Sequence, residues 1–125
     1  MKLASIRLVT TDLERLITFY ATLTGLEPVR RSPDFAEFHT TGGTLALSTE
    51  RMVKQFNAGL AIADSNRSAI IEFEVDDVDA VHTRATAAKL DVGMAPTTMP
   101  WGNRSLLVRG PDGSVVNVFS RPKTR

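Results

Sequence analysis

Residues 70–90 read IIEFEVDDVDAVHTRATAAKL, and this stretch predicts a strand that runs directly into a helix. Residues 70–77 are rich in β-branched and aromatic side chains and end in two aspartates, as a strand before a helix N-terminus does. From residue 76 to residue 90 the apolar side chains fall on one helical face, formed by Val78, Val81, Ala85 and Ala88.

An equivalent strand and helix occur earlier in the chain. Residues 4–10 (ASIRLVT) predict a half-buried strand, and the next segment predicts a helix with Thr11 or Asp12 as its N-cap and Gly25 as its stop. Aligning Asp12 with Asp77 pairs the two segments at an offset of 65 residues. An internal duplication is the simplest explanation.

Hairpin patterns follow each predicted helix. In the first half, two alternating segments flank Gly42-Gly43, a pair able to adopt the positive φ angles of a tight turn, and residues 27–31 leave room for a short strand. In the second half, two strands flank Pro111-Asp112-Gly113.

The chain is therefore predicted to be a single α+β domain, residues 1–125, built from two tandem β-α-β-β-β units. Unit one spans 1–49 and unit two spans 69–121. The segment 50–68 has no clean period, and it either crosses from one unit to the other or lies over a cavity as a lid.

Composition limits the partners. The formal charge is +1 with charges of both signs scattered along 125 residues, so no patch for nucleic acid or an anionic membrane is expected. There is no cysteine and no apolar run of membrane-spanning length. The sequence predicts a cytoplasmic protein whose partners are a small organic molecule and a second copy of the chain.

The motifs FEVDDVDA, PWGNRS and GPDGSVVNVF, in this order, resemble the vicinal oxygen chelate superfamily of glyoxalases, bleomycin-resistance proteins and extradiol dioxygenases. The resemblance covers nearly the whole chain and implies two curved sheets around a shared cavity, often in a homodimer. Enzymes of that family hold a divalent metal with four side chains. Each unit supplies a His near the start of its first strand and a Glu in its last strand.

Carrying those four positions over gives Ser5 and Ala46 in unit one and Ile70 and Asn117 in unit two. Hydroxyl, methyl, branched aliphatic and neutral amide side chains are poor ligands for a divalent metal ion. The resemblance therefore implies a member of the family without its metal, and we expect no cofactor. A displaced metal site around His39 and Glu50 is the alternative.

If position 5 faces the cavity, alternation turns Ser5 and Arg7 inward and packs Ile6 and Leu8 against the first helix. The offset of 65 residues places Glu72 at the position equivalent to Arg7. These opposite charges form a structural ion pair, or else Arg7 binds an anionic or carbonyl oxygen while Glu72 accepts a hydrogen bond or a proton.

Ser5 is a ligand-binding candidate together with Arg7 and Glu72, and the other three candidates, Trp101, Arg104 and Asn117, each have a structural alternative. Trp101 either stacks on a planar ligand or plugs the end of the barrel. Arg104 and Asn103 form a polar rim or are solvated surface residues. Asn117 orients a neutral ligand or is a buried amide bonded to backbone or water.

The predicted function is metal-free binding of a small organic molecule, with sequestration of a ligand or antibiotic as in bleomycin resistance. The alternative is a lyase, isomerase or dioxygenase of the same superfamily, either metal-free with acid-base catalysis or with the displaced metal site. Glu72 and His39 are the candidate catalytic residues, although a lone histidine is also a common structural residue. Whether a reaction is catalysed stays open.

Overall fold

The computed structural model describes residues 1–123, in which eight strands and three helices follow one another. The elements are β1 (Ser5–Thr10), α1 (Leu13–Thr24), β2 (Val29–Ser32), β3 (Phe35–His39), β4 (Thr44–Thr49), α2 (Glu50–Phe56), β5 (Ile70–Glu74), α3 (Val78–Ala87), β6 (Asp91–Thr98), β7 (Arg104–Arg109) and β8 (Val115–Ser120). They form two compact units, the first comprising Met1–Asn66 and the second beginning at Arg67. The predicted α+β class and the two β-α-β-β-β units are confirmed.

Each unit contains one four-stranded mixed sheet with the same connectivity. The strand orders are β1-β4-β3-β2 and β5-β8-β7-β6. In both sheets the first strand of the unit lies at an edge and pairs in parallel with the last strand, while the other pairs are antiparallel. The duplication inferred from the sequence thus extends to the hydrogen-bonding pattern.

The two long helices begin in the same way. Asp12 caps α1 by accepting a hydrogen bond from the backbone N–H of Arg15, and Asp77 caps α3 through the N–H of Ala80. The helix ends differ, because α1 stops at Gly25 with φ 72° whereas α3 is followed by Lys89 with φ 59°. The left-handed conformation is therefore held by glycine in one unit and by a lysine in the other.

The apolar faces predicted from periodicity form the cores. In α1 the buried side chains are Leu13, Leu16, Ile17, Phe19, Tyr20 and Leu23. In α3 they are Val78, Val81 and Ala85, whereas Ala88 is an exposed C-cap, which corrects the predicted face at its last position. The prediction for Ile6 is also wrong: Leu8 is buried, but Ile6 is 52% exposed near the start of an edge strand.

The two predicted turns are held by different interactions. At Gly42-Gly43 neither glycine has a positive φ, contrary to expectation, because the Thr40 side chain bonds both glycines and closes the turn. At the second turn Gly113 does take a positive φ, 88°. There the buried carboxylate of Asp112 accepts hydrogen bonds from the N–H and the hydroxyl of Ser114.

Within residues 1–123, no helix has both the length and the apolar character required to cross a membrane.

Candidate functional site

An open groove in the first unit lies between the side chain of Arg7 and the C-terminal part of α2 with the loop that follows it. Arg7 lies in the middle of β1, on the face opposite Leu8, because successive side chains of a strand point to opposite faces. Helix α2 follows β4 directly and is capped by Thr49, whose hydroxyl accepts from the N–H of Met52 at 3.1 Å. Val53 of α2 is fully buried, so this short helix is anchored by its middle residue.

The chain turns sharply at the end of α2. Ala58 and Gly59 both have positive φ angles, and the Gly59 N–H donates to the Val53 carbonyl at 3.0 Å. This turn presents the side chain of Asn57 to Arg7, whose Nη2 donates to Asn57 Oδ1 at 2.6 Å. The two residues are separated by 50 positions in the sequence.

The segment that follows the turn is tied down at its far end. The Glu50 carboxylate accepts from the Ala63 N–H at 2.9 Å, and this bond is the main reason that the pKa of Glu50 is lowered. The Asp64 N–H donates to the Val9 carbonyl on the edge of β1 at 3.0 Å. Residues 57–62 are thus held as a loop between two fixed points.

The groove between this loop and β1 has a volume of about 470 Å³. Its lining residues are Arg7, Val53, Phe56, Asn57, Ala58, Leu60 and Ala61. Phe56 and Leu60 are 68% and 86% exposed, so two large apolar side chains face solvent beside one guanidinium. Apolar walls with a few oriented polar groups are typical of small-molecule sites.

The guanidinium of Arg7 is oriented without being neutralised. It lies 5.9 Å from the centroid of the Phe35 ring, within range of a cation–π contact, and its hydrogen-bond partner Asn57 is neutral. No carboxylate of residues 1–123 lies within 4.0 Å of it. Within its own unit, Arg7 is therefore oriented by a neutral amide and not by an ion pair.

In the second unit, Glu72 and Asn117 occupy the positions that correspond to Arg7 and Ala46. Glu72 pairs in register with Asn117 exactly as Arg7 does with Ala46, which confirms that the duplication relates the two pairs. Asn117 Nδ2 donates to Glu72 Oε2 at 2.9 Å, and Asn117 Oδ1 is buried without a hydrogen-bond partner among the described residues. The amide is therefore only half satisfied.

The four positions that hold metal in enzymes of the resembled family do not suit one here. In the first unit Ser5 is an exposed hydroxyl at the start of β1 and Ala46 is a buried methyl group. In the second unit Ile70 is apolar and the Asn117 amide is bonded to Glu72. Neither unit offers a carboxylate or an imidazole at these positions, so the residues present do not fit the divalent metal ion of the family's enzymes.

The alternative metal site around His39 and Glu50 is also not assembled. Glu50 is the first residue of α2, not a continuation of β4, and its carboxylate is occupied by the Ala63 N–H and by Lys54 at 3.5 Å. Exposed His39 ends β3, with Nε2 3.4 Å from Glu37 and Nδ1 3.2 Å from Thr44. Across residues 1–123, no three His, Cys, Asp or Glu side chains are grouped so that they could hold a metal ion.

The connection between β6 and β7 carries the remaining candidates. Trp101 is 68% exposed at the turn, so it does not plug the core of its own unit. Arg104 is the first residue of β7, not a loop residue, and its Nε and Nη2 donate to both carboxylate oxygens of Asp79 at 3.0 and 2.9 Å, while Nη1 donates to Thr98. These hydrogen bonds lower the pKa of Asp79, and they fasten β7 to the first turn of α3.

Of the six predicted ligand-binding residues, the groove contains Arg7. Sequence reasoning did not identify Asn57, Phe56 or Leu60, which line the groove together with Arg7. The available signal was weak: two large apolar residues and an asparagine in a segment that also contains Ala-Gly, between two predicted units. Their contact with β1 is set by tertiary structure, which periodicity does not report.

Two tandem β-α-β-β-β units, each with its first and last strands paired in parallel, define a class of proteins built by duplication of this motif. The chain belongs to one such family, the Glyoxalase/Bleomycin resistance protein/Dioxygenase superfamily, whose match covers residues 2–118. No curated protein matches the chain.

Solved structures agree with this assignment. A glyoxalase/bleomycin resistance protein/dioxygenase from Nocardioides is 27% identical with a TM-score of 0.78, over 100% of this chain and 86% of that one. A lactoylglutathione lyase from Agrobacterium tumefaciens is 25% identical with a TM-score of 0.73, over 95% and 92%. A glyoxalase-related enzyme from Fulvimarina pelagi is 24% identical with a TM-score of 0.82, over 97% and 88%, and supports the fold.

Proposed function

We propose that this protein binds a small organic molecule without a metal ion, and that the groove beside Arg7 is a binding site for it. The observation that carries the proposal is the groove itself: about 470 Å³ of open space bordered by apolar side chains and one oriented guanidinium. That volume lies within the range of small-molecule sites, roughly 300–1,000 Å³. Sequestration of a ligand requires these features and no catalytic group.

The binding site is tested by filling it. Ala61 lines the groove and is exposed, so Ala61→Trp is expected to occupy the space and abolish binding of molecules found by screening a fragment library with amide NMR spectra. Ala87→Trp, at an exposed position of α3 in the second unit, is the matched control and should bind as the unaltered protein does. A library without binders, or equal binding by both variants, contradicts the proposal.

The absence of metal from the function is tested separately. Protein purified without chelators is expected to contain no stoichiometric zinc, manganese, nickel or iron, because the four family positions carry no suitable donor atoms. One metal ion per chain, bound tightly enough to survive gel filtration, would overturn this part of the proposal.

The second candidate function is metal-free acid-base catalysis, as a lyase or isomerase. Exposed Glu72 favours it, because its carboxylate is held from one side by Asn117. With a bound molecule identified, Glu72→Gln distinguishes the two functions. Unchanged affinity with loss of turnover would establish the enzyme, whereas absence of turnover in the unaltered protein supports sequestration.

A further inference from the structure

The charged side chains near the groove are arranged so that one cation is left without a counter-ion. In the first unit, four arginine and lysine side chains have a carboxylate within 4.0 Å: Arg30, Arg31, Arg51 and Lys54. Arg51 and Lys54 belong to α2 itself, and their partners are Asp34 and Glu50. Arg7 differs, since the side chain that orients it is the neutral amide of Asn57. The positive charge beside the groove is therefore that of Arg7.

The orientation of this guanidinium leaves part of its planar fork available. One N–H of Nη2 donates to Asn57, whereas the second N–H of Nη2, Nη1 and Nε have no hydrogen-bond partner in the first unit, so four of the five guanidinium N–H donors are available. Guanidinium donors favour planar anions such as carboxylates, which accept two parallel hydrogen bonds. Holding the arginine in place before binding also reduces the loss of side-chain entropy when an anion arrives.

Apart from Arg7 and Asn57, the side chains that line the groove are apolar. Val53 is buried within it, and Phe56 and Leu60 expose most of their surface. Covering such surface with an apolar group is favourable, whereas a second charge on the ligand would meet no partner there. A cationic ligand would face Arg7 directly.

We infer that the ligand of this groove is an organic monoanion, a carboxylate or a planar anion of similar size, with an apolar body that contacts Phe56 and Leu60. This inference rests on the proposed function, because it names the chemistry of the molecule that the groove binds. Asn57 acts as the positioning residue for Arg7.

Three probes of the same shape test the charge requirement: 3-phenylpropionate, its neutral amide 3-phenylpropionamide, and the cation 3-phenylpropylamine. Dissociation constants are measured from the amide shifts of residues 53–61. The carboxylate is expected to bind about tenfold or more tightly than the amide, the range of a charge-assisted hydrogen bond. The amine is expected to bind more weakly than the amide.

Variants assign that preference to one side chain. Arg7→Gln is expected to reduce carboxylate affinity to that of the amide and to leave amide affinity unchanged, while Arg7→Lys restores part of the preference. Arg15→Gln, at an exposed position of α1, removes the same net charge and should have no effect. Asn57→Ala is expected to weaken carboxylate binding selectively, a change that a purely structural role would not produce.

The outcomes separate the two proposals. Equal binding of carboxylate and amide at residues 53–61, or an unchanged preference in Arg7→Gln, overturns the anion inference and leaves small-molecule binding supported. Binding of the amine alone would also overturn the anion inference and leave small-molecule binding supported. Failure of all three probes, together with failure of the fragment library, overturns both.

Discussion

Replacing Asn117 with valine is expected to stabilise the protein, although it removes a hydrogen bond. The carboxylate of Glu72 can only accept, so the amide must present Nδ2 to it and turn Oδ1 into the sheet face, where it is buried and unpartnered. A buried acceptor without a partner costs about 1–3 kcal/mol. The lost bond is worth about 1 kcal/mol, because exposed Glu72 regains water.

Valine adds a smaller favourable contribution. It has a higher strand propensity than asparagine, and it faces Leu107 in register on the neighbouring strand, a pairing worth about 0.5 kcal/mol. The sum is an increase of about 1 kcal/mol in the free energy of unfolding. For a chain of this length the midpoint temperature should rise by roughly 4 °C, measured by urea titration and thermal denaturation followed by circular dichroism.

The control for this prediction has the opposite sign. Glu72→Ala removes the partner of Nδ2 and leaves both ends of the amide without a protein partner, so stability should fall by about 1 kcal/mol. In the double variant, with valine at 117, the loss should disappear. If Asn117→Val alone lowers stability by 1 kcal/mol or more, the reasoning is refuted, and the amide is a structural element of the sheet. If the Asn117→Val substitution raises stability, the stability of the fold does not explain the asparagine, and ligand binding explains it better.

The remaining predictions concern the helix ends and pH. Lys89→Gly should raise the free energy of unfolding by about 0.5–1 kcal/mol, because glycine adopts a positive φ without strain. Gly25→Ala should lower the free energy of unfolding by about 1 kcal/mol for the same reason. Urea titrations in which both variants change stability in the same direction would contradict this. Arg104→Gln should raise the pKa of Asp79 toward its usual value, because the hydrogen bonds from Arg104 lower it in the folded protein. A lowered folded pKa stabilises the protein above the unfolded pKa of about 4. The stability difference between Arg104→Gln and the unaltered protein should therefore be present at neutral pH and shrink as the pH falls below that value; a constant difference would show that the pair does not titrate with folding.

The elements that local sequence determines were predictable. Alternation and helical periodicity located both long helices and the strands other than β6 (Asp91–Thr98). Aspartates at equivalent positions marked both helix N-termini, since a short acceptor before an amphipathic run satisfies the free N–H groups. Asp12 and Asp77 perform this role as expected. The order of the strands within each sheet was not predicted.

The groove could not be predicted, for two physical reasons. Helix α2 has only seven residues, fewer than an isolated helix needs, so it depends on the Thr49 cap and on burial of Val53 against the sheet. The contact of Arg7 with Asn57 joins residues 50 positions apart, and periodicity reports only neighbours within a turn or two. Sequence reasoning therefore identified Arg7 as a candidate but not its partner.

The two units differ most on the sheet faces that their long helices leave open. On the face shared with Leu8, the buried positions are apolar except for Thr10, whose hydroxyl accepts a hydrogen bond from the Asp12 N–H. Val116 and Val118 are apolar buried positions in the second unit, because close packing against a core penalises any polar group left without a partner. On the opposite face, Arg7 pairs in register with Ala46 in the first unit. The equivalent pair in the second unit is Glu72 with Asn117. After a duplication, such a change of charge is tolerated only at positions where close packing does not restrict the residue type. The half-satisfied amide and the guanidinium bonded to Asn57 both lie on the faces opposite these apolar positions, and neither is accounted for by packing against the long helix of its own unit.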